Sequence, residues 1–184
     1  KACWWRWTCT ATTPGAYTAT FNTIFLRAPA SNIDSDLAEM QRMGMRIIRI
    51  FAGNKYIDDN EAAGRLGIFL DKANGYGISV IVSFVDYYNS GFSPQGLDQY
   101  YTGNYNGIGL LGHEFFTIGY QARYKDFVRS IVTANKNKSN IYTWEPGNEL
   151  TDSLSPPTFL NFMKDISATI KSIDTQHAVA AGVL

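Results

Sequence analysis

The stretch Ile78-Ser-Val-Ile-Val-Ser-Phe-Val85 is almost continuously apolar and rich in β-branched residues. Such a run is typical of a strand that is buried on both faces, as strands of parallel sheets are. The preceding segment, residues 60–73, repeats apolar side chains at helical spacing and ends before two glycines, Gly75 and Gly77. The pattern therefore predicts a helix that is followed at once by a buried strand.

The same order recurs on both sides of this unit. Strands are predicted over residues 20–26, 45–51, 78–85, 141–145 and 178–184. Helices are predicted over residues 34–44, 60–73 and 120–131, and after an N-cap at Ser155 with Pro156 and Pro157 in the first turn. No internal repeat or low-complexity tract interrupts the order.

Alternating strands and helices indicate the α/β class with a parallel sheet. A chain of 184 residues suits one domain, residues 1–184, with a single core. A complete eight-stranded β/α barrel typically needs about 250 residues, so the chain has room for about five of the eight strands. We therefore expect a partial (β/α)8 TIM barrel with about five parallel strands and flanking helices.

The composition argues against several classes of partner. Sixteen Lys and Arg residues balance sixteen Asp and Glu residues, so no global field draws nucleic acid or anionic lipid. No apolar run reaches the length of about 18 residues that a membrane span requires. We expect neither nucleic acid nor a membrane as a partner.

Two features favour a secreted, extracellular protein. Cys3 and Cys9 are six positions apart, which suits either a small-loop disulfide or two free thiols. Two thiols without a nearby His supply too few ligands for a metal. The tripeptide Asn137-Lys-Ser139 is an acceptor for N-glycosylation.

A long aromatic segment separates the strand that ends at Val85 from the helix near Tyr120. Loops of more than 30 residues inside a domain are usually functional or disordered, and aromatic side chains argue against disorder. Tyrosine faces stack on the flat CH faces of sugars, although simple packing is the alternative. The candidate sugar-binding tyrosines are Tyr87, Tyr88, Tyr100, Tyr101 and Tyr105.

Two motifs in this segment are misleading. Gly107-Ile-Gly109-Leu-Leu-Gly112 matches the glycine spacing of dinucleotide-binding turns, but no strand directly precedes it and no acidic residue follows about 20 positions later. His113-Glu114 begins a zinc-protease pattern, but Thr117 stands where the second His is needed. We expect no cofactor and no metal.

The segment Ile141-Tyr-Thr-Trp-Glu-Pro-Gly-Asn-Glu-Leu150 places polar groups after a predicted strand. Hydrolysis of a glycosidic bond needs a protonated carboxyl beside the leaving oxygen and a second carboxylate as nucleophile or base. Glu149 suits the acid/base role, and Asn148 suits a contact with the sugar 2-hydroxyl. On spacing alone, the same residues serve equally well as a cap for the following loop.

The order of the motifs resembles one enzyme family. Trp144-Glu-Pro-Gly-Asn-Glu-Leu150 resembles the fourth-strand motif of clan A glycoside hydrolases. Residues 124–132 and 36–51 are similar to helices and a strand of the family 5 β-mannanases and their cellulase relatives. The resemblance covers residues 21–184, with two departures: Leu150 replaces the usual Pro, and Asp86 ends the third strand where many members have a His.

The resemblance implies a retaining glycoside hydrolase that cleaves β-1,4-linked mannan or a cellulose-like glucan. It implies that Glu149 is the acid/base, that Trp144 lies in the motif that binds substrate, and that Arg49 lies near the catalytic carboxylates. The family nucleophile lies on the seventh strand, beyond Leu184. Asp86 and Glu145 are then the local candidates for a second catalytic carboxylate, although both also suit structural roles.

The seventh strand is not among the predicted elements, which leaves two explanations of the chain, and two further interpretations of its function remain open. The chain is a truncated piece of a longer enzyme, or a short protein whose exposed sheet edge pairs with a second copy to form a homodimer. A catalytically impaired half-barrel would act as a carbohydrate-binding module. The chain could also be an α/β interaction domain without sugar chemistry. In that case the Asn148-Glu149 motif and the aromatic segment would both resemble a sugar-cleaving site by coincidence.

Overall fold

A computed structural model describes residues 2–3 and 30–182. The strands are β1 (Ala2–Cys3), β2 (Ile47–Phe51), β3 (Ser79–Ser83), β4 (Tyr101–Tyr105), β5 (Ile108–Leu111), β6 (Ile141–Glu145) and β7 (Ala178–Val179). The helices are α1 (Ala30–Arg42), α2 (Asp59–Gly75), α3 (Lys125–Asn135) and α4 (Pro156–Ile173), and a π-helical segment, Phe115–Tyr124, continues directly into α3.

Five strands form one sheet in the order β1-β2-β3-β6-β7, and every neighbouring pair is parallel. Helical segments precede β2, β3, β6 and β7 along the chain. This alternation is the β/α architecture of a partial barrel. The predicted fold class is confirmed. The candidate strand over residues 20–26 lies outside the described residues, as does Cys9.

The sheet and helices enclose one apolar core. Val80, Val82 and Phe84 of the third strand and its extension are fully buried. A second group of aromatic side chains packs where the π-helical segment meets α4: Phe115, Phe116, Tyr124 and Phe162. Burial of these side chains supplies most of the driving force that holds the helices on the sheet.

Local signals fix where two helices begin. The Asp58 carboxylate accepts a hydrogen bond from the backbone N–H of Glu61 at 2.8 Å, which caps α2. Ser155 caps α4 by accepting from the Thr158 N–H at 3.4 Å, with Pro156 and Pro157 in the first turn. The cap predicted at Ser155 is confirmed.

The long aromatic segment is folded. β4 and β5 form an antiparallel hairpin in this segment, in which a loop was expected. Its turn is Asn106-Gly107, with φ of +50° and +84°, the pair of left-handed residues that a type I′ hairpin turn requires. Asn-Gly between two aliphatic or aromatic runs is the sequence signal that predicts such a hairpin. The following helical segment also begins earlier than predicted, at Phe115.

Over the described part of the chain, no helix combines the length and the apolar character that a bilayer crossing requires.

Candidate active site

Polar side chains meet on the face of the sheet that is turned away from the helices. Arg49 of β2 extends across β3 to Glu145 of β6, with its Nε 2.6 Å from the Glu145 Oε2. Its Nη2 lies 3.4 Å from the Ser83 hydroxyl on the intervening strand. Since side chains alternate along a strand, these three residues share one face near the carboxyl ends of their strands. Binding crevices of α/β folds lie at this end of the sheet.

The Arg49–Glu145 ion pair is buried. The two side chains are 9% and 8% exposed, and the Arg49 Nη2 also lies 2.6 Å from Oε2. A charge in such a place is tolerated only when it is paired, because desolvation penalises an isolated ion heavily. The Glu145 carboxylate is therefore engaged in holding Arg49.

The Asn148 amide is held between a cation and a carboxylate. Its Oδ1 accepts from the Arg49 Nη1 at 2.9 Å, and its Nδ2 donates to the Asp86 Oδ1 at 2.9 Å. These partners fix which end of the amide is oxygen and which is nitrogen. Backbone bonds from Asn148 to Val85 at 2.8 Å and from Tyr87 to Asn148 at 3.1 Å fasten the same segment to the extension of β3.

Asp86 lies beneath the crevice surface. It is 1% exposed, its Oδ1 accepts from Asn148, and its Oδ2 accepts from the Ser90 hydroxyl. Its backbone carbonyl accepts from the Tyr101 hydroxyl at 2.6 Å. Asp86 and Glu145 thus flank Asn148 and Arg49 from opposite ends of one continuous network.

Glu149 follows directly after this network. It has a φ of +53°, a left-handed conformation that is uncommon for a residue with a side chain and is often found at functional sites. The backbone before Glu149 passes close to the Val85 carbonyl oxygen. A Cβ on Gly147 would lie only 2.7 Å from that oxygen, so glycine is required there. The Glu149 N–H donates to the Gly182 carbonyl at 2.8 Å, and its side chain is half-buried.

Tyr88 lies beside the Glu149 carboxylate. Burial first, and then the interaction of its hydroxyl with Glu149 and the nearby charges, raise the pKa of Tyr88. Tyr87 packs edge-to-face on Tyr88, with ring centroids 5.5 Å apart. Burial, and to a lesser degree the charge of Asp152, raise the pKa of Tyr87.

Tyr101 has an internal role. Besides donating to the Asp86 carbonyl, its hydroxyl contacts the Ser93 hydroxyl, and burial is the main reason that its pKa lies well above the ordinary value of 10. The Tyr101 hydroxyl is already bonded beneath the crevice. Its placement therefore suits the predicted sugar contact less well than the placement of Tyr88 does.

Trp144 lies on the opposite face from the site. Its side chain is fully buried, its Nε1 donates to the Asp174 Oδ2 at 2.8 Å, and its ring stacks on Phe84 with centroids 5.6 Å apart. Neighbouring residues on a strand point in opposite directions, and Glu145 faces the crevice. The prediction that Trp144 contacts substrate is therefore corrected: the residue belongs to the core.

Sequence reasoning did not identify Asp152 as a partner of the site. Its carboxylate, with a side chain 2% exposed, lies 2.7 Å from the Nδ1 of His113. The contact joins the segment after β5 to the loop after Glu149. The two residues are 39 positions apart, so no local spacing signalled the pair. Among the described residues, no group of three or more His, Cys, Asp or Glu side chains is arranged to hold a metal ion.

No family model matches the chain. The curated proteins that are similar in sequence include two mannosidases. A probable mannan endo-1,4-beta-mannosidase A-1 of Aspergillus terreus is 24% identical over 191 residues, which cover 90% of this chain and 48% of that protein. A mannan endo-1,4-beta-mannosidase A of Emericella nidulans is 26% identical over 174 residues, which cover 83% of this chain and 44% of that protein.

The fold is shared with a solved structure of a hyperthermostable endo-1,4-beta-D-mannanase from Thermotoga petrophila. The TM-score is 0.70 at 21% identity, over 88% of this chain and 53% of the other. The chain thus spans about half the length of the curated relatives it matches. The resemblance to the family 5 β-mannanases is confirmed, and so is the partial-barrel fold.

Proposed function

We propose that this chain carries the acid/base side of a β-1,4-mannan-cleaving site, with Glu149 as the proton donor. The observation that carries the proposal is the environment of Glu149: a half-buried carboxylate just beyond the carboxyl end of β6, beside Tyr88 and adjacent to the Asn148 amide, which Arg49 and Asp86 hold. Glycoside hydrolysis requires a carboxyl held in this way beside the leaving oxygen.

In the proposed reaction, Glu149 protonates the glycosidic oxygen as the bond to the anomeric carbon breaks. The Asn148 Nδ2 donates one hydrogen to Asp86 and has a second one to offer to the sugar 2-hydroxyl, a contact that strengthens as the oxocarbenium-like state develops. In a retaining mechanism the nucleophilic carboxylate bonds to the anomeric carbon as the leaving sugar departs. Glu149 then takes a proton from the water that attacks this carbon and releases the second sugar from the nucleophile.

Asp86 and Glu145 are the local candidates for the second carboxylate, and their contacts support a positioning role for both. Asp86 bonds to Asn148 and Ser90, and Glu145 bonds to Arg49. Neither side chain exceeds a tenth exposed. We propose, as the resemblance implies, that the nucleophile is a Glu of the seventh strand, outside this chain.

Mannan is the substrate that the comparisons favour. The two curated relatives described above are named as mannan endo-1,4-beta-mannosidases, and the solved structure described above is named as a mannanase. We therefore propose β-mannan ahead of cellulose-like glucan. A polymer of this kind is degraded outside the cell, and an extracellular location remains part of the proposal.

One observation favours a second function, binding without turnover. Because Asp86 and Glu145 are both buried in contacts with other residues of the network, neither has the free approach to an anomeric carbon that a nucleophile needs. A chain with this site and no other carboxylate would bind mannan as a carbohydrate-binding module.

The test compares the chain with its Glu149→Gln variant on β-mannan, carboxymethyl-cellulose and mixed-linkage glucan. Release of shorter chains is measured with and without azide, a small anion that attacks the anomeric carbon where no protein carboxylate does. Mannohexaose binding is measured by calorimetry in parallel. Because the proposed nucleophile lies outside these residues, we expect cleavage of mannan when azide is present. Glu149→Gln should lower that cleavage at least about 100-fold, the usual contribution of a general acid, with mannohexaose binding within about twofold.

Glu114→Gln is the matched control, because Glu114 is an exposed carboxylate in the neighbouring segment. Its activity should equal that of the unmodified chain. Binding without cleavage, even with azide, would overturn the hydrolase assignment for this chain and support the binding module. An absence of mannohexaose binding would overturn both.

A further inference from the structure

The hairpin β4–β5 is attached to the segment that carries Tyr88. The Asn89 N–H donates to the Gly109 carbonyl at 2.8 Å, and the Leu111 N–H donates to the Tyr87 carbonyl at 3.0 Å. Tyr88 is paired with Leu110 in an antiparallel bridge. Residues 87–89 therefore act as a third strand beside the hairpin, and the position of the hairpin is tied to that of the site.

The register of this arrangement decides which side chains lie together. Tyr105 is paired with Ile108, and Gly103 is paired with Leu110. Directly opposed residues of antiparallel strands share a face, as do residues two apart on one strand. One face of this three-stranded arrangement consequently carries Tyr88, Leu110, Ile108 and Tyr105. Gly103 adds no side chain between Leu110 and Tyr105.

Tyr105 lies at the exposed end of this row. It is 59% exposed, and its cross-strand partner Ile108 is 41% exposed. The charge of the Tyr105 phenol is one of the smaller influences that raise the pKa of Tyr88, which agrees with the register in placing the two phenols on one face. Since Tyr88 lies beside Glu149 and pairs with Leu110, the row runs from the neighbourhood of the proposed proton donor outward to Tyr105.

We propose that Tyr105 is a sugar-stacking platform of a subsite for the β-linked mannan chain, next to the bond that Glu149 cleaves. The proposal rests on the function proposed above and extends it. An exposed aromatic ring offers a flat apolar face and a hydroxyl at its edge, which matches the CH face and the hydroxyl rim of a pyranose.

The hairpin also lowers the entropy that the platform loses when a ligand binds. The Asn106-Gly107 turn takes left-handed φ values of +50° and +84° that suit a tight two-residue turn, and five-residue β4 is paired along its length after the bulge at Tyr101. A platform on a short turn loses little backbone entropy when a ligand binds.

The experiment titrates the full chain with mannobiose and with mannohexaose by calorimetry. Tyr105→Ala should weaken mannohexaose binding about three- to tenfold, the size expected for loss of one aromatic contact, and should change mannobiose binding less. Tyr105→Phe keeps the ring and should restore binding to within about twofold.

Tyr142→Ala is the matched control. Tyr142 is similarly exposed, at 56%, but lies near the amino-terminal end of β6, the opposite end of the strand from Glu149. Its mannohexaose affinity should equal that of the unmodified chain. Equal affinities of the unmodified chain and Tyr105→Ala would overturn the subsite alone. No mannohexaose binding by the unmodified chain would overturn the proposed function and the subsite together.

Discussion

The two faces of the parallel sheet are built from adjacent residues but have opposite chemistry. Toward the helices, Phe84 and Trp144 are fully buried and stacked on each other. Toward the crevice, their chain neighbours Ser83 and Glu145 both contact Arg49. One face is held by shape and apolar area, and the other by the pairing of charges.

This difference teaches how a strand can serve stability and function at once. Alternation along the strand assigns successive residues to different faces, so a substitution at one position leaves the other face in place. The apolar face should respond to lost volume, whereas the polar face should respond to a lost partner. Substitutions that respect or violate this division test it directly.

The largest effect is expected on the apolar face. Phe84→Ala removes a fully buried ring that stacks on Trp144 and packs edge-to-face on Phe127. We expect the free energy of unfolding to fall by about 4 kcal/mol, since truncation of a buried aromatic leaves a cavity. Urea denaturation measures the change.

Phe84→Leu is the milder companion and should lose much less, because it fills more of the space. Ile68→Ala, at a position that is 59% exposed, serves as the control and should change stability by less than about 0.5 kcal/mol. A loss below about 1 kcal/mol for Phe84→Ala would contradict the assignment of this face to the core.

On the polar face, Arg49→Met should cost about 3 kcal/mol, because it leaves the buried Glu145 carboxylate without its partner. The double variant Arg49→Met, Glu145→Gln removes both charges and should recover part of that loss. A double-mutant cycle by urea denaturation gives the coupling energy. Additive losses would show that the two side chains do not depend on each other.

The sequence predicted the order of strands and helices well, because both depend on local patterns. The continuous apolar run at residues 78–85 and the Ser155 cap indicate their structures without help from the rest of the chain. The alternation of side chains along a strand also bears on the prediction for Trp144. Trp144 and Glu145 are adjacent on one strand, so they could not both face the crevice.

Contacts between distant segments were beyond sequence patterns. Asn148 meets Asp86 across 62 positions and Arg49 across 99, and no spacing specifies such a meeting. The resemblance placed Arg49 near the site, but it did not predict the buried pair with Glu145. The β4–β5 hairpin is a different case, since Asn106-Gly107 is a local signal for it, whereas only a long aromatic loop is predicted in this segment.

A moderate effect is expected at the anchor of Trp144. Burial alone would raise the pKa of Asp174, but hydrogen bonds from Trp144, from His177 and from two backbone N–H groups outweigh it and lower the pKa from 3.8 to about 2. A carboxylate with a lowered pKa contributes stability above its unfolded-state pKa and loses it as the pH falls through the folded value. The contribution, up to about 2 kcal/mol, should disappear between about pH 4 and pH 2.

Asp174→Asn should therefore lower the free energy of unfolding near neutral pH by up to about 2 kcal/mol and flatten its decline between pH 4 and pH 2. Urea denaturation at a series of pH values measures both. The side chain is buried beside Trp144, far from the crevice face, so mannohexaose binding at pH 7 should not change. An acid decline as steep as that of the unmodified chain would contradict this account.

The smallest change in stability, about 1 kcal/mol, is expected for Asp86→Asn on the polar face. The new amide oxygen can still accept from the Asn148 Nδ2, and the Ser90 hydroxyl can turn from donor to acceptor. The variant thus keeps the shape of the network but removes the charge, which separates two roles for Asp86.

If Asp86 only positions Asn148, activity on mannan should fall less than about tenfold, and Ser90→Ala, which removes the other partner of the carboxylate, should produce a loss of similar size. If Asp86 is a catalytic carboxylate, Asp86→Asn should lower turnover by about 100-fold or more, while Ser90→Ala has a far smaller effect. Rates of chain release from mannan, measured beside mannohexaose affinity, distinguish the two. The buried position of Asp86, bonded on both carboxylate oxygens, favours the first result, in which the polar face holds the site while the chemistry belongs to Glu149.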